Sequence, residues 1–446
     1  MISLTLPPTF VIHFLQIRRK TYFIISKTGE VRMQVSIDYQ KRLKRIREEM
    51  ARAGIDVFIG TRTVSVTYVA DAFIPWRSAV VISRDGYAGL VTMLIDNARM
   101  HSESWLDNIT PYAPIPGLDL LDIVVSQVRQ NRWDKAVMGI ELGHSPRGNT
   151  GYLFAPEYEF LLKSLPEAKF VNSLSVMDRA TYIKEPGEIL LLRQASAMTD
   201  AAMERVQESL SVGISETAIA GLGEMELRRL GSEYHWAVTG SSGVASVYRA
   251  TYPQNGTTPP SRKLVQKGEN LIVDLHSCYR QYLGDLAHNF ILGDPTSEQQ
   301  KLADAYVQIV ETIVSSFRAG NTVGKAHKDI TAKIDSLGYS GFVIPSFGHG
   351  LGVMGHEWYP AIIDNDEFRD VVLEEDAVEV AFLAMSVPGV AGMRLECPIR
   401  ITAHGGEPLC TTPVSYTHLR AHETPEHLVC RLLLEKKNSI QRQSTP

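Results

Sequence analysis

Cysteine is scarce. Four residues in a chain of 446 (Cys278, Cys397, Cys410 and Cys430) are too few and too scattered to staple it, which excludes a disulfide framework and fits a reducing, cytoplasmic setting. A long run of Lys or Arg is also lacking, and the net charge is −5, so nothing advertises a nucleic-acid or membrane partner. Long apolar runs are missing as well. The stretch "TFVIHFLQIRRKTYFIISK" is broken by Arg18, Arg19 and Lys20 before it could span a bilayer. Its positive charge lies inside the apolar segment, whereas a secretory signal carries it ahead. What is present is ordinary globular material, 44% hydrophobic and 21% charged, in a length that suits two or three domains.

Both ends read as foreign to the fold. Met33 opens "MQVSIDYQKRLKRIREEM", a natural start, so residues 1–32 are expected to be an over-extension or a mobile extension. At the other end, "PVSYTHLRAHET" followed by "HLVCRLLLEKK" resembles the conceptual translation of a sequencing-library adapter. Residues 414–446 are therefore set aside from fold reasoning, and Cys430 with them.

Between these ends the pattern changes once. Leu43, Ile46 and Met50 recur at helical spacing from Tyr39 to Arg52, with Gly54 as a stop, and the charges of Lys41–Glu49 read as a solvated face. Ile55–Gly60 and Lys135–Leu142 read as buried strands, and "SAVVISRDGYAGLVT" as a hairpin around its Asp-Gly turn. This alternation predicts a first α/β domain over residues 33–180. "YIKEPGEILLLRQA" then opens a long helix, with two more over Ser297–Phe317 and Thr322–Gly338. The strands "NLIVDLH", "YLGDLAHNFIL", "DAVEVAFLAM" and "MRLECPIRIT" lie among and after these helices. They predict an α+β domain over residues 181–413, an antiparallel sheet flanked by helices.

Three stretches place polar groups where a purely structural sheet would not. "NLIVDLHSCYRQYLGDLAHNF" sets Asp274 and Asp285 on the two arms of a hairpin, where facing carboxylates would destabilise the pair. Either a cation or a shared proton compensates, or the register differs from the obvious one. "SFGHGLGVMGHEW" carries His349 and His356 in a glycine-rich loop, and "GMRLEC" places Glu396 on a strand between apolar neighbours. Two aspartates, a histidine and a glutamate are a ligand set suited to Mn²⁺, Co²⁺ or Zn²⁺.

The order Asp274, Asp285, His349, Glu396 resembles that of the pita-bread hydrolases, which include Xaa-Pro aminopeptidases and dipeptidases, methionine aminopeptidases, creatinase and ectoine hydrolase. The resemblance covers residues 35–412 and implies a creatinase-like α/β domain followed by a pita-bread domain. It implies Asp274, Asp285, His349 and Glu396 as metal ligands, and His349 and His356 as catalytic residues, His356 steadying the oxyanion. Trp76 and Arg77 in "DAFIPWRSA", with His288 and Arg394, are the expected substrate-binding residues. The family also implies a homodimer acting on a short peptide or small molecule.

The departures are informative. A glutamate ligand is expected on the strand "LEEDAVEVAFLAM", and its position falls on Phe382. Glu379 lies three residues earlier and so points to the opposite face. Thr257 stands where a histidine is usual, and Ala287-His288 where Thr-Arg is usual. These losses imply either that one of two divalent ions is held more weakly or that the site holds a single ion. The reading is then an amide C–N hydrolase of Xaa-Pro type. The alternatives are a hydrolase of a small compatible-solute-like amide, a lyase relative, or a non-enzymatic scaffold needing no metal.

Overall fold

A helix with Asp38 as its N-cap opens the first domain of the computed structural model, which describes residues 21–25, 31–143, 151–233, 243–246, 259–413 and 416–419. Thr257 and Cys430 lie outside the described residues. The Asp38 carboxylate accepts from the amide of Lys41, and the helix (Tyr39–Arg52) buries Tyr39, Arg42, Leu43, Ile46 and Met50. The expected solvated face is therefore interrupted: Arg42 is 2% exposed. It lies three residues after Tyr39, on the apolar stripe, and partners from the second domain make its burial tolerable.

A short antiparallel pair comes first, β1 (Thr21–Ile25) and β2 (Val31–Ser36). The domain's main sheet contains β3 (Val57–Gly60), β4 (Ala79–Ser83), β5 (Ala88–Met93), β6 (Asn108–Tyr112), β7 (Val137–Ile140) and β8 (Lys169–Asn172), ordered β6-β5-β4-β3-β7-β8. β4 and β5 form the expected hairpin around Asp85-Gly86, with Gly86 at φ 126°. Helices Leu120–Gln130 and Ala155–Ser164 pack on one side. Tyr39–Arg52 and Leu174–Tyr182 belong to a second core that continues into the other domain through Tyr282, Leu351 and Val380.

The second domain is built on a nine-stranded, mostly antiparallel sheet. Its strands are β9 (Gly243–Ser246), β10 (Asn270–Tyr279), β11 (Tyr282–Leu292), β12 (Gly348–Gly352), β13 (Gly355–Glu357), β14 (Val378–Val387), β15 (Ala391–Thr402), β16 (Gly405–Pro408) and β17 (Tyr416–Leu419). The central order is β13-β12-β14-β15-β11-β10-β9, with β16 beside β15 and β17 parallel to β11. Helices Pro186–Ser209, Ser297–Ser316 and Val323–Leu337 match the predicted three and share one apolar core with the sheet. Gly284 lets the first of them approach closely, since a Cβ there would meet the Ala195 carbonyl at 2.7 Å. Among the described residues, no helix is long and apolar enough to cross a membrane.

The glycine-rich loop of His349 and His356 is in fact a strand pair, β12 and β13, at the edge of the sheet. Glycines in such a run suggest a loop, but here they make room. A Cβ on Gly352 would strike the Glu357 carboxylate, which lies across that strand.

Candidate metal centre

The hairpin register resolves the opposition of Asp274 and Asp285. Asp274 lies across from Ala287, and Asp285 lies across from His276, so the two carboxylates are offset by two residues. The two-residue turn Arg280–Gln281 sets this, both residues having positive φ (51° and 72°), which matches the right-handed twist of the strands. Tyr279 and Tyr282 then pair. The Gln281 amide is held by Glu233, and its carbonyl accepts from Met354, which ties this turn to the β12–β13 turn. His356 thereby comes to rest against Asp285.

Two adjacent rows of the sheet carry the polar groups. In one row Phe382, Glu396, Ala287 and Asp274 lie side by side across β14, β15, β11 and β10. The next row holds His276 and Asp285. His276 Nε2 is 2.9 Å from Asp285 Oδ1 and 3.4 Å from Asp274 Oδ1, and His356 Nε2 is 3.1 Å from Asp285 Oδ2. Arg394 donates to Glu396 Oε1, and its Nε lies 3.5 Å from Asp274 Oδ2. The guanidinium also sits 4.8 Å from the centre of the Phe382 ring, a cation–π placement. Donor atoms of Asp274, His276, Asp285 and Glu396 all fall within 4.8 Å of one another.

Electrostatics divide the carboxylates. Burial, then Glu396, push the Asp274 carboxyl well above the usual range, against the pull of His276 and Arg394. Burial would raise Asp285 too, but hydrogen bonds and charge from His276 and His356 hold it well below. Burial would lower His276, yet Asp285 and Asp274 push it up to about 10. The cluster thus gathers positive charge wherever it can. Asp274 Oδ1 and Glu396 Oε2 are buried and make no hydrogen bond. Buried carboxylate oxygens left in this way, beside an imidazole and two further carboxylates, fit a divalent ion.

Of the expected residues, the structure brings together Asp274, Asp285, Glu396, His356 and Arg394. His349 lies beside them. Its ring centre is 4.3 Å from that of His356 and 5.1 Å from Trp358, and its Nδ1 is 3.1 Å from the Gly350 carbonyl oxygen. His288 is buried, with Nε2 2.8 Å from Thr417 Oγ1 and its ring against Phe290. Arg77 is held inside the first domain by Glu157 at 2.9 Å and the Tyr152 carbonyl, and Trp76 beside it is 40% exposed. His276 escaped the sequence reading, because only the cross-strand register shows that it faces Asp285. The signal available was its place two residues after Asp274, on the same face of the strand.

Behind the histidines lies a second charged group. Lys184 Nζ is 2.6 Å from Glu357 Oε2, and Glu379 is fully buried with neither oxygen hydrogen-bonded. Burial drives the Glu379 carboxyl well upward, Lys184 opposing and Glu357 adding to the shift. Glu379 thus faces away from Phe382, as the strand alternation requires.

Residues 191–403 match the family model for metallopeptidase family M24, and residues 42–183 that for the creatinase/prolidase N-terminal domain. The chain belongs to the pita-bread superfamily that these two domains compose. It is 25% identical over 373 residues to an Xaa-Pro dipeptidase of Pyrococcus horikoshii, spanning 83% of this chain and 97% of that one. The structure is similar to that of an Xaa-Pro dipeptidase from Bacillus anthracis, with a TM-score of 0.74 at 24% identity over 86% of this chain and 100% of the other. It is also similar to the N-terminal domain of FACT complex subunit SPT16 from Cicer arietinum, with a TM-score of 0.66 at 13% identity over 85% and 99% of the two chains. At these identities the structural likeness is one of fold, and the fold alone does not choose among functions.

Proposed function

We propose that this protein is a metal-dependent hydrolase of the amide C–N bond in small peptides, with Xaa-Pro dipeptides as the substrate class. The observation that carries the reading is the convergence of three buried carboxylates and His276 on one point, with His356 on Asp285. The match to metallopeptidase family M24 and the Xaa-Pro dipeptidases among its relatives support it. Asp274, His276, Asp285 and Glu396 would hold a single divalent ion, Mn²⁺, Co²⁺ or Zn²⁺. When bound, such an ion supplies Lewis-acid polarisation of the carbonyl and activation of water.

The chain's own groups do the rest. Asp285 orients His356 by accepting from Nε2, and the ring, with its side chain 20% exposed, would as an imidazolium give a hydrogen bond from Nδ1 to the oxygen of a scissile carbonyl. His349 and Trp358 pack around that imidazole and restrict its rotation. Arg394 is fixed by Glu396 and Phe382, so its charge stays at the wall of the pocket. The same reading expects a homodimer in the cytoplasm, where the buried thiols of Cys278, Cys397 and Cys410 stay reduced.

One observation favours a second reading. Phe382, across from Glu396, falls where the resemblance leads one to expect a ligand, and relaxed ligation suits a hydrolase of a small non-peptide amide. The test is proline release from Ala-Pro by the purified full chain with each metal in turn, before and after chelation, beside an ectoine-like amide. Metal-restored proline release is expected. Cleavage of the amide alone would transfer the protein to the second reading.

A further inference from the structure

We infer that His276 is a metal ligand and that the ion sits on the β10–β11 side of the pocket, while Phe382 and Arg394 close the β14 side where a second ion would lie. This rests on the metal-dependent reading above, and deepens it. The sheet rows give the geometry. Phe382 ends the row at β14, directly across from Glu396. A phenyl ring offers no donor atom, and Arg394 covers it at 4.8 Å while engaging Glu396. At the opposite end, His276 adds a nitrogen among the oxygens of Asp274, Asp285 and Glu396.

Charge agrees with this division. With an ion bound and His276 neutral as its ligand, the three carboxylates bring three negative charges; Arg394 answers one, and a single divalent ion answers the other two. A second divalent ion would leave the buried pocket with excess positive charge, and β14 offers no further carboxylate on that face to balance it, since Glu379 faces away from Phe382. The two oxygens without a hydrogen bond, Asp274 Oδ1 and Glu396 Oε2, are those a metal would take. Asp274 Oδ1 is also the oxygen that lies 3.4 Å from His276 Nε2. One imidazole with three carboxylates favours Zn²⁺ or Co²⁺ over the harder Mg²⁺.

Metal content and the visible spectrum of the Co²⁺-loaded full chain test this without reference to turnover. Wild type should bind one ion per chain. His276→Ala, and His276→Gln, whose amide keeps a donor toward Asp285, should each bind at least tenfold more weakly and show an altered Co²⁺ spectrum. Phe382→Glu should admit a second ion and leave the first in place. Two ions in wild type, or a His276→Gln protein with wild-type affinity and spectrum, would overturn the inference while leaving the metallohydrolase reading standing. A folded wild type that takes up no ion would overturn both.

Discussion

Two of the buried charged clusters are finished in opposite ways. Where the domains meet, Arg42 donates to the Tyr68 carbonyl at 3.0 Å, to the Tyr282 hydroxyl and to Glu188. Tyr282 donates to Glu188 Oε1 at 2.9 Å, the Glu185 amide caps Glu188 Oε2 at 2.8 Å, and Arg45 holds Glu185 at 2.9 Å. Both carboxylates there are answered by cations and donors of the chain itself. At the candidate metal centre, three carboxylates meet one arginine and two imidazoles, and two buried oxygens make no hydrogen bond. A closed cluster stabilises a joint. An open one holds unfavourable charge in readiness for something else to bind.

Removing one charged group should therefore act oppositely in the two places. Asp274→Asn is expected to lower kcat/KM for an Xaa-Pro dipeptide at least ~1,000-fold, about 4 kcal/mol. The ion-free variant should nevertheless melt at or above the wild-type temperature, because like charge has been relieved. A clear drop in its melting temperature would erase the distinction between the clusters. At the joint, Arg42→Met leaves Glu188 buried without its main cation, and should cost roughly 3–5 kcal/mol in urea unfolding. A loss below about 1 kcal/mol would show that the joint cluster contributes little.

His288 offers a smaller, pH-dependent comparison. Burial pushes its imidazole down to about 4, against an ordinary value of 6.5. Below pH 6.5 the unfolded chain gains a proton that the folded chain refuses. Stability is accordingly lost as pH falls from about 6.5 to about 4, by up to about 3 kcal/mol. His288→Phe should lose less stability than wild type over that window, read as the difference in melting temperature between pH 7 and pH 4.5. An equal loss in both proteins would show that His288 is not the group responsible.

Much of this was written plainly in the sequence. The helix at Tyr39–Arg52, the Asp85-Gly86 hairpin and the four long strands follow from local periodicity and turn chemistry. The polar set Asp274, Asp285, His349 and Glu396 comes from the family resemblance; the structure gathers Asp274, Asp285 and Glu396 and sets His349 beside His356. What escaped depended on contacts between distant segments. His276 needed the register imposed by Arg280–Gln281, and Arg42 needed Glu188 and Tyr282, 146 and 240 residues away. The β12–β13 pair was hidden because Gly350 and Gly352 make room for the Glu357 side chain rather than forming a turn.

Lys184 belongs to the segment between helices Leu174–Tyr182 and Pro186–Ser209, at the junction of the two domains. Its amide donates to the Asp376 carbonyl just before β14, and its ammonium grips Glu357, the residue after His356. Mechanically, the hinge and the histidine are one clasp. Any slackening of the junction should be felt first as a tilt of His356 away from Asp285, before either domain loses its sheet. On gentle heating, hydrolysis should then fail at a lower temperature than the far-ultraviolet circular dichroism signal. In Lys184→Met that interval should widen; an unchanged interval would mean that the clasp carries no such strain.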